Sequence, residues 1–458
     1  MDNLSIKTNT YDETTERLVA FAERASYDAL PASVVHECKR RVIDTFASAL
    51  GAYDNPVSVM THKVAARSRT DNPATVWGSN IKTTPEAAAF ANGVMTRLLD
   101  ISDTYLGKSR GHPSDMNSGL IAIAEAVHAD GKSLINAITL AYDVYCSFCN
   151  AIDANAKGWD QPVYSVLGCV LGAGKLLKLN HDQLANAVSL ALAPNMALAQ
   201  SRRGHLSNWK GCAGANASRN AVFAAMLAQD GFTGPSAVFE GDGGLWQVLG
   251  PHDWPLPQDK HLISETHIKF LPVCYHGQSS VFAALDLRDK VALDDIAEIT
   301  VDSYGAAVMM MGNDPTRWAP STRETADHSM PYVVASALLD GAVNDASFSD
   351  ARLADATLSR LMAKVKVRRD ERLESHYPEG APGRVSIRTN SGAMHVKEVI
   401  YPQGHFKNPV SDTRVVEKFH ELTAARLTQA RRDRVLEMLW GLDKVDDVAQ
   451  VVSALSGT

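Results

Sequence analysis

Apolar positions recur every three or four residues through most of the first 230 positions of the chain. The stretch "SVVHECKRRVIDTFASALGAY" keeps this spacing, and "TTPEAAAFANGVMTRLLD" opens on Thr84, Pro85 and Glu86, a helix start signal. In "LINAITLAYDVYCSFCNAID" the same period runs without a glycine or proline to interrupt it. After about residue 268 the period changes. "IAEITVDSY" and "AKVKVRRD" predict strands, "HSMPYVVASALLDG" predicts a helix, and "GRVSIRTNSGAMHVKEVIYP" predicts a hairpin turning at Asn390 to Gly392. The helical period returns from Ser411 in "SDTRVVEKFHELTAARL" and "RDRVLEMLWGL". The expected fold is mainly α with a smaller α+β domain. A large helical domain takes residues 1–268 and 410–458 from the two chain ends, and an α+β unit at 269–409 is inserted between them.

Composition narrows the class. A chain of 458 residues, 45% hydrophobic and 21% charged, can bury a large core and suggests two or three domains. A net charge of -7 and a pI near 6.1 argue against nucleic acid as a partner. The opening "MDNLSIKTNTYDETTERL" has neither an apolar signal core nor an Arg-rich transit pattern, and no later segment reads as a membrane span. The expectation is a cytoplasmic protein with a small-molecule partner, no nucleic acid and no membrane. Among six cysteines, Cys146 and Cys149 form a CxxC that could hold an iron–sulfur cluster with a third thiol. They lie inside a continuous helical pattern, so they are read as buried thiols. No HExxH occurs, and no metal is expected.

Candidate chemistry concentrates at the edges of apolar helices. In "RGHPSDMNSGLIAIAEA", Arg110 to Ala126, Pro113 restricts His112 to extended backbone, while Asp115 or Asn117 can cap the following turn. His112 then stands on a loop at a helix N-terminus, either as a pocket residue or as part of a capping segment. Three further clusters are "QSRRGHLSNWKGCAGANASR", "HIKFLPVCYHGQSS" and "DHSMPYVVASALLDG". A pocket at a domain boundary draws residues from several such segments.

With "LLDISDTYLGKSRGHPSD" as the first, these four clusters occur in the order seen in the MmgE/PrpD family. "GFTGP" at 231–235 and "YPQGHFKNPVSD" at 401–412 also match, so the chain resembles that family from about residue 13 onward. The resemblance implies a helical domain with an α+β lid, a homodimer, and an active site between domains. It also implies that His112, His276, Tyr332 and Asp100 are catalytic, Asp100 in a supporting role, and that Lys210, Lys269, Asp103, Thr104 and Ser114 contact substrate. "GHPSD", "WKGCAGANASR" and "YHGQS" resemble the 2-methylcitrate dehydratase branch, and Cys274 stands where the decarroxylase branch usually shows a histidine.

The chemistry has its own logic. Dehydrating a hydroxy-polycarboxylate needs a base for the proton beside a carboxylate, an acid for the departing hydroxyl, and cations for the developing charge. A histidine among lysines can stay neutral and act as the base. Arg202 and Arg203 are expected to be solvated, and His205, His328 and His405 to be loop or supporting residues. The expected activity is a cofactor-independent lyase acting on 2-methylcitrate or a close relative. An epimerase or decarboxylase of a related polycarboxylate, such as iminodisuccinate or cis-aconitate, would use the same groups. A non-catalytic binding protein of the same fold would be expected to lose several charged pocket positions, which this chain retains.

Overall fold

The computed structural model describes residues 11–456 except 196, 205 and 251–253. His205 and the first ten residues, on which the absence of a leader was read, fall outside that set. The predicted helices form where the apolar period places them: Ala32–Gly51, Pro85–Leu98 with Thr84 at its N-cap and Pro85 in its first turn, Gly131–Ala151, and Asp412–Thr423 and Gln429–Trp440 near the C-terminus. Gly131–Ala151 is buried on nearly every face and carries Cys146 and Cys149 inward. All six cysteines are buried and unbonded to one another. Among the described residues no helix is long and apolar enough to cross a membrane.

Two apolar cores result. The larger joins residues between Leu18 and Phe270 to residues between Val415 and Leu455, so the C-terminal helices complete a core begun at the N-terminus. The smaller is built almost wholly from Leu271 to Ile387, with Leu106 as its one early member. Its centre is a four-stranded mixed sheet in the order Val365–Arg369, Ile296–Ser303, Gly383–Thr389, Met394–Val399, with only the first pair parallel. The helices Gln278–Leu287 and Met330–Asp340 pack in this second core. Gly383 lets the first of these approach closely, since a Cβ there would fall 2.8 Å from the Ser280 amide nitrogen.

The chain passes twice between the cores, near residues 268–271 and 399–410, and the passes are tied together. The Ile268 amide donates to the Gly404 carbonyl at 3.0 Å. Gly404 has φ +86°, and a Cβ there would collide with the Ile268 carbonyl oxygen at 2.0 Å, so glycine is required twice over. Beneath them Lys418, on the C-terminal helix and only 2% exposed, donates to Asp44 Oδ1 at 2.5 Å, to the Ile101 carbonyl at 2.8 Å and to the Lys269 carbonyl at 2.6 Å. One buried ammonium thus joins both chain ends to the first crossing.

Removing one member of a buried ion pair leaves a charge uncompensated, which costs about 3–5 kcal/mol. Lys418→Met should lower unfolding free energy by about that amount in urea titration. A fragment of residues 1–410, which lacks the apolar faces contributed from Val415 onward, should show no cooperative melt.

Candidate active site

A cleft with about 70 Å³ of free space opens where the cores meet. Asp100, Thr104, Arg110, His112, Asp160, Gln161 and Arg202 line it from the first core's side, and Cys274, His276, Met310 and His328 from the other. A larger cavity of about 810 Å³ lies elsewhere, between the helices Glu13–Arg24 and Gly131–Ala151 and the segment around Pro255–His261. Perturbed titratable groups converge on the small cleft, which makes it the candidate site.

Local backbone places His112. It is extended, at φ -126° and ψ 92°, ahead of the 3₁₀ turn Pro113–Met116, and the α-helix begins only at Asn117. The expected caps are absent. Asp115 instead pairs with Arg97 Nε at 3.1 Å and accepts from Gln161 Nε2 at 2.9 Å, and burial pushes its carboxyl up to about 6. Asn117 donates to Thr45 Oγ1 at 2.8 Å and to the Tyr142 hydroxyl at 3.2 Å. Both side chains are held by tertiary partners, which outcompete the local turn.

His112 Nδ1 meets the Asp103 carbonyl oxygen at 2.8 Å. A carbonyl only accepts, so Nδ1 carries a proton and, in the neutral ring, Nε2 keeps a lone pair. Burial and the neighbouring Arg97 hold the imidazole's pKa well below its ordinary value. The Asp103 carboxylate accepts from the Ser114 amide at 3.0 Å and the Tyr142 hydroxyl at 2.8 Å. Thr104 Oγ1 donates to the Gly111 carbonyl at 2.8 Å. Asp103, Thr104 and Ser114 therefore brace the His112 loop, and of the three only Thr104 lines the cleft.

His276 has the opposite arrangement. Its Nδ1 lies 2.5 Å from the Tyr304 hydroxyl, and its buried Nε2 has no protein partner. Burial and Arg110 depress this imidazole as well, while burial keeps the Tyr304 phenol protonated. If the phenol donates to Nδ1, the neutral ring carries its proton on Nε2; if Nδ1 donates to the phenol oxygen, Nε2 holds the lone pair.

Asp100 adopts φ +48° and lies at the bottom of the cleft. Its carboxylate accepts from Lys269 at 2.8 Å, Arg97 at 3.2 Å and Lys210 at 3.2 Å, and Lys269 also reaches its carbonyl. Burial pushes its carboxyl up, but Lys210, Lys269 and Arg97 outweigh it and hold the pKa well below the usual range. Lys210 bridges to both Asp327 oxygens at 3.1 Å, and Asp327 in turn binds His328 Nδ1. The expected residues are thus redistributed. Asp100 organises lysines and acts on His112 through its charge without a hydrogen bond to it, and Lys210 and Lys269 neutralise the protein's own carboxylates behind the cleft. The cations on its wall are Arg110 and Arg202. Arg202, expected to be solvated, is mostly buried and donates to Asp160 at 2.8 Å, while Arg203 is exposed.

Tyr332 is not brought to this cleft. Its hydroxyl donates to the Ser347 carbonyl at 2.5 Å and its ring stacks on Phe348 at 5.9 Å inside the second core. His405 is fully buried against His267, 4.2 Å between ring centroids, with its pKa lowered by burial to about 4. His328, expected as a supporting residue, lies in the cleft. Arg97 and Tyr304 were not singled out from sequence, and Arg110 stood there only as a member of the His112 cluster, without a role. Arg97 stands in the last turn of a mostly apolar helix, where a buried arginine demands buried carboxylates, and that was the available signal.

A helical body and a mixed-sheet unit, meeting at a cleft lined by imidazoles and guanidiniums, define a two-core protein with its candidate site at the seam. The chain belongs to the MmgE/PrpD family: the family's N-terminal domain model matches residues 16–256 and its C-terminal domain model residues 271–442. It is 27% identical over 423 residues to a 2-methylcitrate dehydratase of Cupriavidus necator, covering 86% of this chain and 87% of the relative. It is 24% identical over 445 residues to the 2-methylcitrate dehydratase of Escherichia coli K12, covering 91% and 90%. It is also 24% identical over 457 residues to the human cis-aconitate decarboxylase, covering 93% and 90%.

Asp100, Asp327 and His328 are the one group among the described residues with ligand atoms close enough to hold a metal, all within 4.8 Å. Lys210 and Lys269 already occupy those carboxylates, so a divalent cation would have to displace two ammoniums. Exhaustive chelation should leave turnover unchanged, with no stoichiometric metal in elemental analysis. Activity lost on chelation and restored by iron or zinc would contradict this account.

Proposed function

We propose that this protein is a cofactor-independent hydro-lyase that removes water from 2-methylcitrate or a closely related hydroxy-polycarboxylate. The observation that carries the reading is the pair of buried imidazoles on the two walls of the cleft, one with Nδ1 on the Asp103 carbonyl and the other with Nδ1 on the Tyr304 hydroxyl and Nε2 without a protein partner. His112 offers a lone pair at Nε2 and His276 offers an N–H at Nε2, which are the base and the proton donor that elimination requires. The names of the relatives support the same reaction class.

In this mechanism Arg110 and Arg202 hold substrate carboxylates, and His112 Nε2 takes the proton from the carbon beside one of them. The carbon–oxygen bond breaks as His276 Nε2–H protonates the departing hydroxyl. Tyr304 O–H reprotonates Nδ1 in the same step, so the ring avoids becoming an anion, and the cycle closes when His112 releases the abstracted proton to solvent and the phenolate takes one proton back from solvent. Asp100 and its three cations keep the floor of the site fixed, and Asp103 holds the His112 tautomer. Ligand pockets usually span several hundred Å³, far more than the free space here, so the proposal includes separation of residues 269–409 from the helical body as a lid.

A screen of hydroxy-polycarboxylates by ultraviolet absorbance of the new conjugated double bond should show turnover with 2-methylcitrate or a near homologue. Carbon dioxide release from an unsaturated polycarboxylate without hydration chemistry would instead make it a decarboxylase. His112→Ala should lower turnover by roughly 10²–10⁴-fold while affinity for an unreactive tricarboxylate changes little. Both imidazoles have pKa values well below 6.5, so their neutral forms persist as the pH falls through that value. The acid limb of kcat/KM should therefore lie below pH 6.5, and a limb at the ordinary histidine value would contradict the assignment.

A further inference from the structure

A cavity of about 450 Å³ lies behind the two crossings between the cores, and the mechanism above makes no use of it. The helix Ala32–Gly51 lines it with Glu37, Arg40 and Arg41, the chain entering the first crossing with Thr266 and Ile268, and the second crossing with His405. His405 is fully buried, and its Nδ1 accepts from the Lys407 amide at 3.0 Å. An amide only donates, so the neutral ring carries its proton on Nε2, and that N–H has no partner. Arg40 and Arg41, 7% and 3% exposed, supply two more such donors. Arg40 Nε lies 3.5 Å from Asp412 and Arg41 Nη1 3.1 Å from Glu37, and neither contact has hydrogen-bond geometry. The other nitrogens hold both guanidiniums in place. Arg40 donates to Glu37 and to the Val410 carbonyl, each at 2.7 Å, and Arg41 to the Thr266 hydroxyl at 2.6 Å and its carbonyl at 2.9 Å. Among the described residues lining the cavity, every buried side-chain atom without a hydrogen-bond partner is therefore a nitrogen donor.

We propose that this cavity is a binding site for a small oxyanion, a phosphate or a dicarboxylate. A buried donor left unmatched carries the full penalty of its lost hydration, and an oxygen-rich anion relieves it for three donors at once. Two guanidiniums stand on the wall against one carboxylate, Glu37, which both of them already share. A cation finds no buried side-chain oxygen there that lacks a partner. The donors also come from different parts of the fold. Arg40 and Arg41 belong to the helical body and His405 to the second crossing, so a bound anion ties the two together beside the Ile268–Gly404 hydrogen bond. Occupancy would oppose separation of residues 269–409 from the body. That effect rests on the lid motion proposed above, whereas the site itself does not.

The test is calorimetric titration of the full chain with inorganic phosphate and, separately, with malonate. The anion that binds more tightly identifies which of the two the site takes. Arg40→Gln and His405→Phe should each weaken binding at least about tenfold, with folding checked by melting temperature. Arg110→Ala, which alters the cleft instead, should leave it in place. Selenate soaked into crystals should give an anomalous peak against Arg40 and His405, a measurement that needs no variant to fold. The proposal is overturned if neither anion binds, if binding is lost in Arg110→Ala but kept in Arg40→Gln, or if selenate is found only in the cleft. No arm reads turnover, so a wrong assignment of the reaction leaves these outcomes unchanged.

Discussion

A carboxylate shut away from water stays ionised only if the protein surrounds it with positive charge, and Asp100 is that group. Arg97 reaches it from the last turn of Pro85–Leu98, Lys210 from the turn Asn208–Gly211, and Lys269 from the first crossing between the cores. Lys210 extends the network to Asp327 and hence to His328 in the second core. Each ion is desolvated, so each depends on the others being in place, since an unpaired buried charge is penalised far more than a complete network. The cleft walls are set by this requirement, and charge links the two cores at the candidate site.

The same network separates two kinds of positive charge. Cations behind the cleft are paired with Asp100, Asp115 and Asp327, whereas Arg110 stands on its wall and Arg202 beside it is paired with Asp160. Because the fixed charges are neutralised internally, the imidazoles of His112 and His276 feel mainly burial and a nearby guanidinium, and both remain neutral. What distinguishes them is the partner on Nδ1, a carbonyl in one case and a phenol in the other. Function would then rest on which atom of each ring holds a proton.

Much of the architecture was legible because periodicity survives tertiary packing. The helices around residues 32–51, 85–98 and 412–440 and the hairpin near Asn390 fall where the apolar spacing puts them. The four polar clusters were visible as polar residues at the ends of apolar runs, and most of them do meet. Partnerships were not legible. A sequence shows that Lys210 and Lys269 exist but not that buried aspartates claim them, and it cannot distinguish Arg202 from the exposed Arg203 beside it. Tyr332 follows the same helix-start pattern as a pocket residue would, yet helix phase turns its hydroxyl to Ser347. Asp100 did leave a trace. It takes a left-handed conformation just past a helix end, a place where glycine is the usual occupant, so an aspartate there signals a constraint beyond the backbone.

Lys418 has a consequence for how the molecule is made. The ammonium that balances Asp44 and fixes the carbonyls of Ile101 and Lys269 belongs to a segment synthesised after both cores' main elements. A nascent chain that has emerged only through the mixed sheet holds Asp44 without its counter-charge, and the backbone on either side of Asp100 and Lys269 lacks its anchor. Domains that fold as they leave the ribosome normally do so from the N-terminal end. Here the floor of the cleft sets last, because Asp44 and the carbonyls of Ile101 and Lys269 wait for an ammonium at position 418.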